Sequence, residues 1–376
     1  MSDATRKPSV LFIADACETS ATLNSKEFND KFDILRCELD TKEEFIRFLE
    51  EHEKDKITAI YGGFPAFHKI GGLNRDIIEH RSFPRNDLKC IVLCSRGCNG
   101  LDLDALREYN IQLYNYQDDH DEGLIDDLKI HEVGNDVADC GLWHILEGFR
   151  KFSYGQKLAR ETGNTIVART NAAEKDGFAF GHELGSMFIE SPRGKKCLIL
   201  GLGSIGKQLA CKLQDGLGME IHYCKKSEES SISGSKNWKF HRLDDTIYAK
   251  LHQFHAIVIT LPGTPQTKHL INEKFLRYCN SELILVNLGR GVILDSQAVS
   301  DALTKGQIRH LGVDVFYHEP IIDEKIKVSD KLTSITPHLG SATKEVFEQS
   351  CELALANILR AASGEVAEDK CFSRIV

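Results

Sequence analysis

Short apolar runs alternate with amphipathic stretches along most of this chain. Ser9 to Ala14, Phe32 to Cys37, Ile57 to Tyr61, Leu88 to Cys94 and Ile111 to Tyr116 are compact and apolar. They are too short for helices and suit buried strands. Thr41 to Glu53 and Asp102 to Tyr109 carry apolar residues at helical spacing. Strands that alternate with helices predict a mostly parallel sheet covered on both faces.

The same rhythm returns in the second half. Strands are expected at Cys197 to Leu200, Ile221 to Cys224, Ala256 to Leu261, Leu283 to Asn287, Leu311 to Phe316 and Leu332 to Thr336. Helices are expected at Leu243 to Gln253, Asn272 to Tyr278, Ser296 to Lys305 and Thr343 to Ala362. Asn135 to Arg160 reads as one long helix, with Val137, Leu142, Ile145, Leu146, Phe149 and Phe152 as its apolar positions. Two stretches break the rhythm. Residues 117–131 are acidic and read as a surface insertion. Glu161 to Arg193 has weak periodicity and reads as loop and short pieces.

The 376 residues suffice for about two domains of ordinary size. Composition fits a soluble globular protein. A net charge of −9 with no long basic run excludes nucleic acid and anionic membrane as expected partners. No stretch approaches the length of a membrane-spanning helix. The N-terminus does not read as a signal peptide, and a cytoplasmic location is expected. The 12 cysteines are scattered, mostly in apolar runs, with no CxxC pair. They read as reduced buried thiols, and no metal site is expected.

The most specific stretch is the strand Cys197 to Leu200 with Gly201-Leu202-Gly203-Ser204-Ile205-Gly206 after it, a GxGxxG. Ile205, Leu209 and Leu213 then recur at helical spacing, and Gly216 and Gly218 can stop that helix. Gly201 allows a tight turn. Gly203, lacking Cβ, lets a pyrophosphate approach the backbone. Gly206 lets the helix pack closely. The helix N-terminus offers free N–H groups to the phosphates. With strand and helix flanking it correctly, this is a dinucleotide site. The next strand ends in Lys225-Lys226-Ser227, with no carboxylate before Glu228. An acidic residue there would bond the ribose 2′-OH of NAD. Two lysines instead suit a 2′-phosphate, so NADP(H) is expected to be preferred and NAD(H) accepted.

Ligands of open α/β sheets bind beyond the carboxyl ends of the strands. Three reactive side chains stand there: Arg290 in NLGRG, Glu319 in FYHEP and His338 in TPHLG. Arginine, carboxylate and imidazole on a cofactor's rim suit a carbonyl next to a carboxylate.

These motifs carry a resemblance. GLGSIGKQLA, LPGTPQTKHLINEKFL, LVNLGRGVILDSQAVSDAL, GVDVFYHEP and TPHLGSAT are similar to the D-isomer-specific 2-hydroxyacid dehydrogenases, most of all the glyoxylate and hydroxypyruvate reductase branch. LKCIVLCSRGCNGLDLDAL and VGNDVADCGLWHILEGFRK match more loosely. The resemblance implies a Rossmann coenzyme domain inserted into a flavodoxin-like substrate domain. Residues 1–116 would begin the substrate domain, 117–338 form the coenzyme domain, and 339–376 return. It implies that Arg290 holds the substrate, that His338 is the general acid and base, and that Glu319 pairs with it. Asp314 would hold the nicotinamide carboxamide. Leu261, Pro262, Leu288, Gly289 and Ser341 would contact the cofactor. Backbone N–H groups near Arg96 and Gly97 would receive the substrate carboxylate. Asn99 stands where the family usually has aspartate, and Arg96 where it has a small or apolar residue. The Asn135–Arg160 helix resembles the family's dimer arm, so a homodimer is expected.

The expected activity is therefore reduction of small 2-oxo acids such as glyoxylate or hydroxypyruvate. Formate oxidation is disfavoured, because that branch lacks a glutamate at the position of Glu319. The rival is a cofactor-sensing binding protein of the co-repressor type, which resembles the same family and turns over little.

Overall fold

A computed structural model describes residues 7–63, 66–98, 100–116, 132–226, 236–327, 329–363 and 372–376. The chain divides into two compact units, one of residues 1–120 and 343–376 and one of 121–342.

The first unit holds a six-stranded sheet. Its strands are β1 (Ser9–Ile13), β2 (Asp33–Cys37), β3 (Ile57–Gly62), β4 (Cys90–Leu93), β5 (Gln112–Tyr116) and a last strand, Phe372–Arg374. The order 2-1-3-4-5 is flavodoxin-like, with all of these pairs parallel. The last strand closes the β5 edge antiparallel. Leu11, Ile13, Ile60, Ile91, Leu93 and Leu113 face one buried core. Thr41 and Asp102 cap the helices Lys42–Glu51 and Leu103–Glu108 with their side chains, as short polar residues before apolar-periodic stretches do.

In the second unit, β6 (Glu183–Leu184) and β7 (Met187–Phe188) form a small hairpin. Seven strands follow in one parallel sheet: β8 (Lys196–Leu200), β9 (Glu220–Lys225), β10 (Lys239–Arg242), β11 (Ala256–Ile259), β12 (Ile284–Asn287), β13 (His310–Val313) and β14 (Thr333–Ile335). Their spatial order is β10-β9-β8-β11-β12-β13-β14, the doubly wound Rossmann arrangement. Strand residues alternate between two cores. Leu198, Leu200, Ile257 and Ile259 face one, and Cys197, Ile199, Ala256 and Val258 the other. That is why these strands read as continuous apolar runs.

Three expectations need correction. The stretch Asn135–Arg160 is not one helix. Glu132–Arg150 ends at Lys151, which is left-handed (φ 53°), and Phe152–Thr162 starts afresh. The apolar spacing hides this, because Phe149 is fully buried while Phe152 is 51% exposed. The Lys151 N–H still bonds the Glu147 carbonyl at 3.1 Å, but its side chain turns inward to His310. Secondly, Glu161–Arg193 is more ordered than its periodicity suggests. It holds the helix Thr165–Ala173, capped by Asn164, and the β6–β7 hairpin. Thirdly, the helix expected at Leu243 to Gln253 starts only at Asp245, and it is a 3₁₀ helix over Asp245–Gln253. Strand β10, KFHR, was not anticipated, since an edge strand with charged ends lacks an apolar run. Residues 117–131, Asn99 and Ser227 lie outside the described residues.

Candidate active site

Strand β8 lies where the winding reverses, between β9 and β11. The glycine turn after it has the geometry a dinucleotide needs. Gly201 adopts φ 101°, a region closed to most side chains, and its N–H bonds the Cys224 carbonyl at 3.0 Å. A Cβ on Gly206 would lie 2.3 Å from the Gly201 carbonyl oxygen, so only glycine fits. A Cβ on Gly203 would meet nothing within 4 Å. Open space thus stands before the helix Ser204–Cys211, where N–H groups lack helical partners. Ser204 Oγ is buried without a hydrogen-bond partner, and Ile205 packs on the core behind. An open cradle and helix N–H groups fit a pyrophosphate. The helix runs on through a π-turn, Lys212–Gly216, and ends at Gly218 (φ 66°).

Two more strand-end loops sit against this turn. A Cβ on Gly201 would touch the Leu261 side chain at 3.1 Å, and one on Gly289 would lie 2.4 Å from the Leu261 carbonyl. Leu261, Pro262, Leu288 and Gly289 therefore border the same rim. Asn287, wholly buried at the end of β12, shapes the next loop. Its Oδ1 accepts the Gly289 N–H at 3.1 Å and its Nδ2 donates to the Arg290 carbonyl at 3.0 Å. Arg290 is extended, and its Nη1 donates to the Gly289 carbonyl at 2.8 Å. A Cβ on Gly291 would fall 1.9 Å from the Phe316 carbonyl carbon. That contact brings the arginine loop onto the turn after β13.

This turn carries Glu319. Its Oε1 accepts the Phe316 N–H at 2.9 Å, and its Oε2 lies 3.0 Å from His338 Nδ1. His338 is itself left-handed (φ 55°), on a turn pinned by Asp314. Asp314 is buried. Its Oδ1 accepts from Thr336 Oγ1 at 2.6 Å and Leu339 N–H at 2.8 Å, and its Oδ2 accepts Gly340 N–H at 3.0 Å. Most of the carboxylate's acceptor capacity is spent on this turn. Ser341, half-buried, follows it.

The charges support one another. The bond to Glu319 raises the His338 imidazole above the ordinary histidine range; partial burial opposes this, Asp314 assists it and Arg290 opposes it. Burial alone would raise Glu319. The bonds from His338 and Phe316 outweigh it, and with Arg290 they hold the carboxyl below its usual range. The imidazole is thus held more basic than an ordinary histidine, with Nε2 left for a reactant.

Lys225 is half-buried at the end of β9 and Lys226 exposed beyond it. Register places Arg242 of β10 opposite Lys225. Arg242 lines a pocket with His241, Asp244, Thr246 and Lys250. Arg242, Asn287, Gly291 and Thr336 were not singled out from the sequence. Asn287 and Thr336 stand at strand ends inside NLGRG and TPHLG, a signal that was available. Arg242 depended on finding β10. In the first unit, Arg96 and Gly97 follow β4. The Arg96 carbonyl accepts from Asn115 Nδ2 at 2.6 Å, and the Gly97 carbonyl from Ser95 Oγ at 3.0 Å.

Comparison with known proteins agrees with this geometry. Residues 157–340 match the family model described as D-isomer specific 2-hydroxyacid dehydrogenase, NAD binding domain. A Saccharomyces cerevisiae protein provisionally named a 2-hydroxyacid dehydrogenase is 75% identical over 99% of this chain and 98% of its own. Glyoxylate/hydroxypyruvate reductase B of Pectobacterium atrosepticum is 34% identical over 80% of this chain and 82% of its own. Among solved structures, the holo D-mandelate dehydrogenase of Rhodotorula graminis superposes with a TM-score of 0.76 at 26% identity, covering 94% of both chains. The chain belongs to the D-isomer-specific 2-hydroxyacid dehydrogenases, a family of NAD(P)-dependent oxidoreductases.

Proposed function

We propose that this protein reduces small 2-oxo acids, glyoxylate or hydroxypyruvate, to 2-hydroxy acids with a preference for NADPH. The observation that carries the reading is the 3.0 Å pairing of His338 Nδ1 with Glu319, beside the Arg290 loop. The bound nicotinamide supplies a hydride to the substrate's carbonyl carbon. His338 holds a proton at Nε2 and delivers it to the carbonyl oxygen. Arg290 binds the carboxylate and stabilises negative charge developing on that oxygen. The reading also assigns the substrate carboxylate to the backbone N–H groups near Arg96 and Gly97. Asp314 acts chiefly by fixing the His338 turn, with its remaining lone pair left for the carboxamide. Gly201, Gly203, Ser204, Ile205 and Gly206 hold the pyrophosphate.

The test is purified protein with NADPH and a panel of 2-oxo acids. Turnover of about 1–1,000 per second supports the reductase. Tight NADPH binding without turnover supports the sensor of the co-repressor type instead. The reading places the protein in the cytoplasm; no helix of the described residues is long and apolar enough to cross a membrane.

A homodimer is part of the same proposal. Among the described residues ten large hydrophobic side chains stand exposed, and six of them lie between residues 152 and 188: Phe152, Ile166, Val167, Phe178, Phe180 and Phe188. Exposed apolar side chains so concentrated along the chain support an interface there. Sedimentation velocity reads the assembly directly, and a monomer at micromolar concentration would contradict it.

A further inference from the structure

The second unit contains a buried line of polar side chains that the chemistry above uses only at its Asp314 end. Lys151 Nζ lies 2.6 Å from His310 Nδ1, and His310 Nε2 lies 2.9 Å from Ser334 Oγ. Ser334 Oγ is 2.7 Å from His144 Nδ1, and His144 Nε2 is 3.1 Å from Thr336 Oγ1. Thr336 Oγ1 in turn is 2.6 Å from Asp314 Oδ1. Lys151, His310, Ser334, His144 and Asp314 are all buried. Buried polar groups are kept only where each is satisfied.

The direction of every bond follows from one end. The Asp314 carboxylate accepts, so Thr336 must donate its O–H. The threonine oxygen then accepts from His144 Nε2–H. A neutral imidazole with its proton on Nε2 accepts at Nδ1, so Ser334 donates there. The serine oxygen accepts from His310 Nε2–H, which leaves His310 Nδ1 to accept from Lys151. An amine is the donor this last place needs. Five bonds thus run one way, from the left-handed residue that breaks the long helix to the carboxylate beneath His338. Burial keeps both imidazoles neutral, with His144 pushed down to about 3 and His310 well below its usual value.

We infer that Lys151, His310, Ser334 and His144 are positioning residues: a one-way hydrogen-bond relay that orients Thr336 and Asp314 and so fixes the turn presenting His338. Packing enforces the path. A Cβ on Gly312 would lie 2.8 Å from the His144 Cβ, so glycine in β13 makes room for this ring. The inference rests on the proposed role of His338, but its main readout does not need turnover.

The experiment uses the full chain with ring-¹⁵N-labelled histidine. Long-range ¹H–¹⁵N spectra at neutral pH should show both His144 and His310 neutral with the proton on Nε2. A proton on Nδ1, or a charged ring at either residue, overturns the relay. The same spectra titrate His338. In His144→Leu the turn loosens, so the His338 midpoint should fall, while His144→Gln, which keeps a donor and an acceptor, should restore it. Reductase assays should show kcat lowered about tenfold in His144→Leu, with KM little changed and recovery in His144→Gln. Should His144→Leu not fold, Lys151→Met makes the test from the far end, with a smaller shift in the same direction. An unmoved His338 midpoint in the folded variant overturns the inference. A parent without turnover would refute the reductase reading alone, because the histidine spectra still decide the relay.

Discussion

His338 Nδ1 and Glu319 Oε2 stand 3.0 Å apart, and the second oxygen of that carboxylate is bound to the Phe316 N–H. Glu319 therefore cannot swing away without breaking its own turn. The pair raises His338 and lowers Glu319. A raised imidazole stabilises the fold below its unfolded pKa, and that contribution is lost as pH rises through the folded value.

The first prediction follows from this sign. In the proposed reaction His338 must be protonated for reduction, so activity should fall as pH rises through its folded pKa. Glu319→Gln removes the main cause of the rise. The fall should then begin at a lower pH, with kcat at low pH less affected. Profiles of kcat/KM against pH for parent and variant make the comparison. Superimposable profiles would refute the pairing.

Arg290 offers the second. Its guanidinium can hold a carboxylate at two points, which the point charge of lysine cannot copy. Loss of one charged hydrogen bond, about 1.5–3 kcal/mol, gives roughly a 10- to 150-fold fall in kcat/KM for the 2-oxo acid. NADPH affinity, measured by fluorescence titration, should change little in Arg290→Lys. An unchanged kcat/KM means that the arginine does not touch substrate.

Much of this was legible beforehand. The glycine turn, Arg290, Glu319 and His338 each sit at a strand end, and strand ends follow from short apolar runs. Both sheets were legible for the same reason. What periodicity could not show was conformation at single residues. Lys151 breaks a helix by one left-handed residue while the apolar spacing continues past it. Nor could it show long-range partners. Thr336 and His144 are neighbours only because Glu132–Arg150 packs across β13 and β14. Arg242 was missed because β10 is short, polar and at the sheet edge.

Gly291 gives a third prediction, one that rests on backbone packing. A methyl group there would lie 1.9 Å from the Phe316 carbonyl carbon, and backbone on both sides leaves no flexible atom to yield. Gly291→Ala should cost about 1–3 kcal/mol and lower Tm by several degrees. It should also lower kcat/KM, because it parts the Arg290 loop from the Glu319 turn. Calorimetry and kinetics on the same sample check both effects. An alanine variant with the parent's Tm would show that the two loops are not in contact.

The last prediction concerns cofactor choice. NAD-specific sites place a carboxylate at the end of the second strand to bond the ribose 2′-OH. Here β9 ends in Lys225, with Lys226 next and Arg242 of the neighbouring strand opposite Lys225. Cations so placed attract a 2′-phosphate that a carboxylate would repel. A lysine within reach of a phosphate in partly screened surroundings contributes about 1–3 kcal/mol. That corresponds to roughly a 5- to 150-fold preference for NADPH. Lys225→Asp/Lys226→Ala should lower the ratio of kcat/KM for NADPH over NADH by about that factor. Arg242→Ser should lower it too, since a guanidinium is suited to forked phosphate contacts. Calorimetric titration with 2′,5′-ADP and 5′-AMP separates the phosphate contact from catalysis, and only the former ligand should lose affinity in the variants. If the parent already prefers NADH, or if the variants leave the ratio unchanged, these cations face water and the enzyme takes either cofactor.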